Sequence, residues 1–210
     1  MIDTVFEGKK KIIFLRHGKT VSNVKKIYSG KRTDEDLCEE GIEEIQGKKD
    51  MINALSFSVS RYFSSPMKRA QRTAKLLFPE REITIIDSLE EADLGEFEGK
   101  TYEELKDNED YRKWIASGGA FAPPGGESRE EISKRSIAGI KEAIRLSGSS
   151  EEILIVCHGG IIMAALSALT GKDPYDLYVN NLEGFAVTVQ KSNEGLSVIT
   201  LDRAFCGDMA

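Results

Sequence analysis

The stretch "KIIFLRHG" (residues 11–18) decides the fold. Its core, Ile12 to Leu15, is unbroken isoleucine, phenylalanine and leucine, with lysine before it and glycine soon after, and this predicts a buried strand over 11–16. The chain has two histidines, and His17 closes this run. The other, His158, closes "ILIVCHGG" (153–160), the most apolar run of the chain, and it too is followed by glycine. Open α/β sheets bind ligands beyond the carboxyl ends of their strands, so two strands that each end in His-Gly point to a shared site. Glycine behind each imidazole lets backbone turn sharply or approach a ligand closely.

Working outward, "RYFSS" (61–65) and "ITII" (83–86) read as further strands, and Gly41 to Leu55 carries apolar residues near helical spacing despite Gly47. Ser65 followed by Pro66 predicts an N-cap with proline in the first turn of a helix over 67–78. "TYEE" and "SREE" place a hydroxyl three residues before a glutamate, so helices are expected after Thr101 and Ser128, the second running to about Ser147. "WIASGGAFAPPGGE" (114–127) is too rich in glycine and proline for a core element and predicts a loop over a site. A buried helix closed by Gly171 should follow His158, and "FAVTVQ" and "LSVITL", separated by "KSNEG", predict a terminal hairpin. Strands alternating with helices imply an α/β fold: a three-layer sandwich with a mostly parallel central sheet, helices on both faces, and a short cap insertion at about 101–126 of a single domain, 1–210.

At 210 residues and 40% hydrophobic, the chain can bury a full core. A formal charge of -6 argues against nucleic acid as partner. No apolar stretch approaches the ~20 residues that span a bilayer. The start lacks the charged-then-apolar order of a signal peptide, so a cytoplasmic protein with no membrane partner is expected. Cys38, Cys157 and Cys206 are far apart and without CxxC spacing, which suggests neither a disulfide frame nor a zinc site.

Arginine beside histidine suits a phosphate: the guanidinium fork neutralises two oxygens while a neutral imidazole offers a nucleophilic nitrogen. A phosphomonoester is near the dianion at pH 7 and needs at least two cations. Arg16 is one, and "SSPMKRAQRTA" (64–74) offers Lys68, Arg69 and Arg72 at a helix start, of which Lys68 and Arg72 read as a solvated face.

These residues resemble the histidine phosphatase superfamily, the phosphoglycerate mutase-like proteins. "RHGKTVSN", "SSPMKRAQRTA", "EADLGEFEG", "PPGGES" and "VCHGG" occur in that family's order. The resemblance implies His17 as the nucleophile that becomes phosphohistidine, Arg16, Arg69 and His158 as phosphoryl ligands with Asn23 and Gly159, and Glu91 as general acid. It implies Ser29 and Gly30 at the substrate side, with no metal and no cofactor. Glu90, Asp93, Glu96 and Glu98 read as solvated neighbours of Glu91. A backbone acceptor on the far nitrogen of His17 would fix its reactive tautomer.

Within the family, cofactor-dependent mutases carry arginine directly after the acid glutamate and tyrosine two residues further on, where this chain has Ala92 and Leu94. The resemblance therefore favours a phosphomonoesterase of the histidine acid phosphatase type, acting on a small phosphorylated metabolite. A mutase stays open as the alternative, since "DEDL" (34–37) lacks the phosphatases' proline and "YSG" (28–30) occurs in mutases too. A non-catalytic phosphate-binding module is the alternative of another class, and a metallohydrolase a third, although HxH and HExxH spacings are missing. Tyr102, Tyr111, Trp114 and Phe121 read as a small core of the cap rather than a stacking platform. The terminal hairpin offers an exposed edge for a homodimer.

Overall fold

The computed structural model describes residues 8–192 and 195–206. In chain order the elements are β1 (Lys9–Arg16), α1 (Val21–Val24), α2 (Glu39–Leu55), β2 (Arg61–Ser64), α3 (Lys68–Leu77), β3 (Ile83–Ile85), α4 (Tyr102–Leu105), α5 (Glu109–Ala116), α6 (Arg129–Leu146), β4 (Glu152–Cys157), α7 (Gly159–Thr170), β5 (Gly184–Ser192) and β6 (Gly195–Ala204). Short 3-10 turns at Asp87–Leu89, Gly95–Phe97 and Pro174–Leu177 link them.

The six strands form one sheet in the order β3-β2-β4-β1-β5-β6. β3, β2, β4 and β1 run parallel, while β5 returns antiparallel to β1 and β6 antiparallel to β5, so the sheet is mostly parallel with an antiparallel edge. The predicted hairpin is β5–β6; of its connection, residues 193 and 194 lie outside the described residues.

Both faces of the sheet are covered, which is why β1 and β4 are apolar at every central position instead of alternating. Ile12 and Phe14 of β1, with Ile153, Ile155 and Cys157 of β4, pack against Ile140, Ala143 and Ile144 of α6 and Ile161, Ile162 and Ala165 of α7. Ile13 and Leu15, with Leu154 and Val156, pack on the opposite side against Ile45 and Ile52 of α2 and Ala70, Ala74 and Leu77 of α3. Each such fully buried aliphatic side chain contributes roughly 1.5–3 kcal/mol relative to exposure. A third cluster, Phe97, Leu105 and Tyr111 with Tyr28, Leu94 and Trp114 against it, lies over 94–114.

The helix starts after Thr101 and Ser128 are as predicted, each with a reciprocal capping box. Gly171 closes α7 at φ 71, a left-handed conformation that glycine adopts without Cβ strain. Four expectations are corrected. Ser65 is not the N-cap of α3: Met67 is, without a side-chain cap, because the Ser65 hydroxyl turns toward His158. The stretch 114–127 is not all loop, since Trp114, Ile115 and Ala116 complete α5, whose Asn108 cap accepts from the Tyr111 amide. Tyr111 is buried in the cap cluster and Trp114 packs against it, but Tyr102 and Phe121 are 56% and 68% exposed and contribute little to that core. Glu98 is not solvated: its Oε1 accepts from the Arg32 and Leu94 amides and its Oε2 from Thr33 Oγ1, tying the loop after α1 to the loop after β3.

Candidate active site

Register brings the two histidines together. β1 and β4 are parallel neighbours with Arg16 opposite Cys157, so the next residue of each chain segment, His17 and His158, leaves the sheet side by side. Their ring centroids are 5.1 Å apart at 61°, and both rings are buried. His17 Nδ1 is 2.7 Å from its partner, the Gly18 carbonyl oxygen, which fixes the proton on Nδ1 and leaves the Nε2 lone pair outward. Arg69, in the first turn of α3 and 1% exposed, donates from Nε to that Nε2 at 3.2 Å. Its other nitrogens donate to the carbonyls of Thr33 (2.7 Å) and Gly30 (3.3 Å), so the loop after α1 is built around the guanidinium. Arg72, three residues on, faces outward toward Asp36, and Lys68 toward Asp34.

Arg16 follows Ile12 and Phe14 on the α7 side, where its Nη1 donates to the Val179 carbonyl at 2.7 Å. Gly159 packs against this guanidinium, with room for a Cβ only at 3.4 Å from it. His158 is the N-cap residue of α7, and its Nε2 is 2.7 Å from Ser65 Oγ. Where Ser65 Oγ, which also accepts from the Met67 amide at 3.3 Å, donates its hydrogen to Nε2, the His158 proton lies on Nδ1. Asn23, the third residue of α1's capping box, accepts with Oδ1 from the Thr20 amide (3.1 Å) and from Asn181 Nδ2 (3.2 Å), which turns its own Nδ2 to the cavity.

Glu91 lies in the loop after β3 and is nearly buried. Its Oε1 accepts from the Ala92 amide at 2.9 Å and its Oε2 from the Gly160 amide at 3.3 Å, in the first turn of α7. Gly160 lets Glu91 approach closely: a Cβ there would meet Glu91 Oε1 at 2.5 Å. Arg135 of α6 holds this loop by donating to the carbonyls of Ser88 (3.0 Å), Glu90 (2.8 Å) and Glu91 (3.3 Å). Glu90 and Asp93 pair with Lys31 and Arg32 at 3.0 and 2.8 Å, leaving Glu96 as the exposed acid of the group.

A cavity of about 410 Å³ opens beside this centre, and its wall includes Arg16, Asn23, Ser29, Glu91 and Gly160. His17, His158 and Arg69 form the buried cluster next to it, and Gly30 is packed against Ala92 and Glu98 instead of facing it. Arg16 Nε, Ser29 Oγ and His158 Nδ1 are buried without a hydrogen-bond partner. Such atoms cost roughly 1–3 kcal/mol each, and a phosphoryl group supplies the acceptors they lack.

Electrostatics keep both imidazoles neutral. Burial, reinforced by Arg69 and then Arg16, holds His17 well below the usual imidazole range, while the Gly18 carbonyl opposes the shift. His158 is lowered in the same way, by burial first and then by Arg69, His17 and Arg16. Burial lowers Arg69 as well, against the pull of Glu91, Glu35, Asp34 and Glu98. Among the described residues no three His, Cys, Asp or Glu side chains converge as a metal-ligand set, and no helix is long and apolar enough to cross a membrane.

Sequence reasoning did not single out Asn181, which donates to the His17 carbonyl at 2.8 Å, nor Thr73, whose Oγ1 accepts from the Gly18 amide at 2.9 Å. It did not see Arg135 or Ser65 as supports either. Only Thr73 and Ser65, inside the "SSPMKRAQRTA" motif, carried a usable signal.

The fold and site define an α/β protein with a buried centre of two histidines and two arginines at the carboxyl ends of adjacent parallel strands. The chain belongs to the histidine phosphatase superfamily (branch 1), whose sequence profile matches residues 12–201. It is 30% identical over 164 residues to the adenosylcobalamin/alpha-ribazole phosphatase of Escherichia coli, covering 75% of this chain and 77% of that one. It is 28% identical over 183 residues to a 2,3-bisphosphoglycerate-dependent phosphoglycerate mutase of Beijerinckia indica, covering 82% and 86%. Among solved structures, a mycobacterial glucosyl-3-phosphoglycerate phosphatase superposes with a TM-score of 0.81 at 24% identity, over 95% of this chain and all of that one, which supports the fold.

Proposed function

We propose that the protein is a phosphomonoesterase that works through a phosphohistidine at His17 on a small phosphorylated metabolite. The observation that carries this is the set of unpartnered buried polar atoms, Arg16 Nε, Ser29 Oγ and His158 Nδ1, around an imidazole whose Nε2 is directed away from its anchored Nδ1. A phosphate dianion takes these donors together with Asn23 Nδ2 and Arg69, whose N–H bond to His17 Nε2 passes to a phosphoryl oxygen. Phosphoryl transfer asks mainly for such positioning and charge neutralisation.

His17 Nε2 then attacks phosphorus, the ester P–O bond breaks, and the leaving oxygen takes its proton from Glu91. The proton stays on Nδ1, hydrogen-bonded to the Gly18 carbonyl, whose oxygen stabilises the imidazolium charge of the phosphoenzyme. In the second half a water attacks phosphorus as Glu91 accepts its proton; the P–N bond breaks, and inorganic phosphate leaves with Glu91 protonated again. Hydrolysis is favoured over mutase transfer because Ala92 and Leu94 offer no second anion site next to Glu91. The acid-phosphatase character is part of this proposal and is tested by the pH optimum.

The experiment is trapping with a ³²P-labelled phosphomonoester, together with a screen that includes 3-phosphoglycerate with and without 2,3-bisphosphoglycerate. An acid-labile, alkali-stable label that disappears in His17→Ala, with release of inorganic phosphate, is expected. Full turnover by His17→Ala would end the proposal, and isomerisation outrunning hydrolysis would turn it toward a mutase.

A further inference from the structure

The proposed chemistry uses only one end of the cavity. The remainder is walled by Tyr28, Leu94, Trp114, Ile115, Ile132 and Met163, contributed by the loops after α1 and β3, the cap, α6 and α7. This wall is held rigidly: Trp114 meets the Tyr28 ring edge-on at 6.0 Å between centroids, and the Tyr28 and Tyr111 hydroxyls are 2.6 Å apart. Apolar surface continues outward to the mouth, where Ile115 is 41% and Tyr175 55% exposed while both still line the cavity.

The two charged side chains of this half, Glu127 and Arg129, are both held by the protein. Glu127 is bound by Arg135 through Nε at 3.0 Å and Nη2 at 2.8 Å, and it accepts from the Asp93 amide. Arg129 is anchored to the cap through its Nη1, which donates to the Gly118 carbonyl at 3.1 Å. Next to the scissile bond the wall is Ala92 and Leu94. A carboxylate on the leaving alcohol would lose its water there against hydrocarbon, and Arg129, the cation that lines this half, is already hydrogen-bonded to the Gly118 carbonyl. An apolar body meets a preformed surface and loses nothing polar.

We propose that the substrate is a phosphomonoester whose alcohol carries an aromatic or bulky apolar body, held between Leu94, Trp114 and Met163, and is not a small phosphorylated hydroxy acid. This rests on the phosphatase reading above.

The test measures kcat/KM for four alkyl phosphates whose leaving groups are chemically alike: ethyl phosphate, 2-phenylethyl phosphate, O-phosphoserine and 3-phosphoglycerate. The phenylethyl ester should exceed each of the others by at least about tenfold, mostly through KM, the scale expected for filling an apolar pocket. Trp114→Ala should lose most of that ratio. The exposed Ile115→Ala, which is free of any folding role in the core, should reduce it at least threefold, and inhibition by inorganic phosphate should stay at the wild-type constant in both. Hydrolysis that depends on His17 yet favours O-phosphoserine or 3-phosphoglycerate overturns the apolar-substrate inference and leaves the phosphatase reading standing. No phosphoenzyme and no hydrolysis with any of the four overturns both.

Discussion

Replacing Gly160 by alanine separates the placement of Glu91 from the stability of the fold. An alanine Cβ at this position lies 2.5 Å from Glu91 Oε1 and 3.3 Å from Cδ, whereas ordinary contact begins at 3.4 Å, so the oxygen must retreat by about 0.9 Å (3.4 − 2.5). What yields is the free end of a side chain, not backbone, and alanine is favoured over glycine within a helix by up to ~1 kcal/mol, so the melting temperature should hold or rise slightly. The retreat breaks the 2.9 Å bond from the Ala92 amide and the 3.3 Å bond from the Gly160 amide that aim the carboxyl. A misplacement of ~1 Å at a reacting group costs on the order of 10²-fold, comparable to the 10²–10⁴-fold that a general acid contributes. Turnover of alkyl phosphates should therefore fall about 100-fold. Stopped-flow with 4-nitrophenyl phosphate supplies the contrast, since nitrophenolate departs without a proton. Its burst, which reports phosphorylation of His17, should keep nearly the wild-type rate while the later hydrolytic phase slows. Alkyl turnover within threefold of wild type in a folded Gly160→Ala protein would refute the role of Glu91 derived from this geometry.

Four further expectations follow from the same contacts. Because burial and the arginines lower both histidines, the folded chain refuses protons that the unfolded chain accepts below pH about 6.5, so stability falls as pH drops from there toward the lowered folded values. The melting temperature should be lower at pH 5 than at pH 7, with a shallower slope in His158→Gln; equal slopes would contradict the buried neutral state. Ser65→Ala frees the His158 tautomer and should cut kcat/KM roughly tenfold while leaving the thermal transition within a few degrees, a loss of about 1.4 kcal/mol that steady-state kinetics resolves. Asn181→Ala releases the Asn23 amide and the His17 carbonyl together, so KM and the inhibition constant of inorganic phosphate should rise in parallel; an unchanged phosphate constant would remove Asn181 from the site. Ser128→Ala deletes the capping box of α6 and should cost about 1 kcal/mol, roughly 2–4 °C in melting temperature.

Much of the architecture was legible because it is local. The apolar run before His17, the isoleucine-rich run before His158 and the hydroxyl–glutamate pairs at Thr101 and Ser128 each state their own conformation within a few residues. Ser65 was misread for the same reason. As a serine before a proline it has the local signature of an N-cap, yet a hydrogen bond to a histidine 93 positions away outweighs that preference. Trp114 to Ala116 were assigned to a loop because the glycines and prolines behind them dominate the window, while the Asn108 cap and the packing of Tyr111 and Trp114 against Phe97 carry the helix through. Glu98 shows the limit from the other side: an acid among acids in sequence becomes an internal acceptor once Arg32 and Thr33 arrive from the loop after α1.

The sequence alone determined the two strand-end histidines, the arginine beside the first, the strands and the longer helices of the sandwich, and the residue types from which a phosphoryl site is made. These are properties of short windows, set by hydrophobic period, by capping and by the chemistry of adjacent side chains. Only the tertiary structure decided that Arg16 opposite Cys157 brings the two rings to 5.1 Å, that Gly18 and Ser65 choose the tautomers, and that Asn181 turns the amide of Asn23. Most of those outcomes depend on strand register and on hydrogen bonds between residues tens to more than a hundred positions apart, and no local preference encodes such distances.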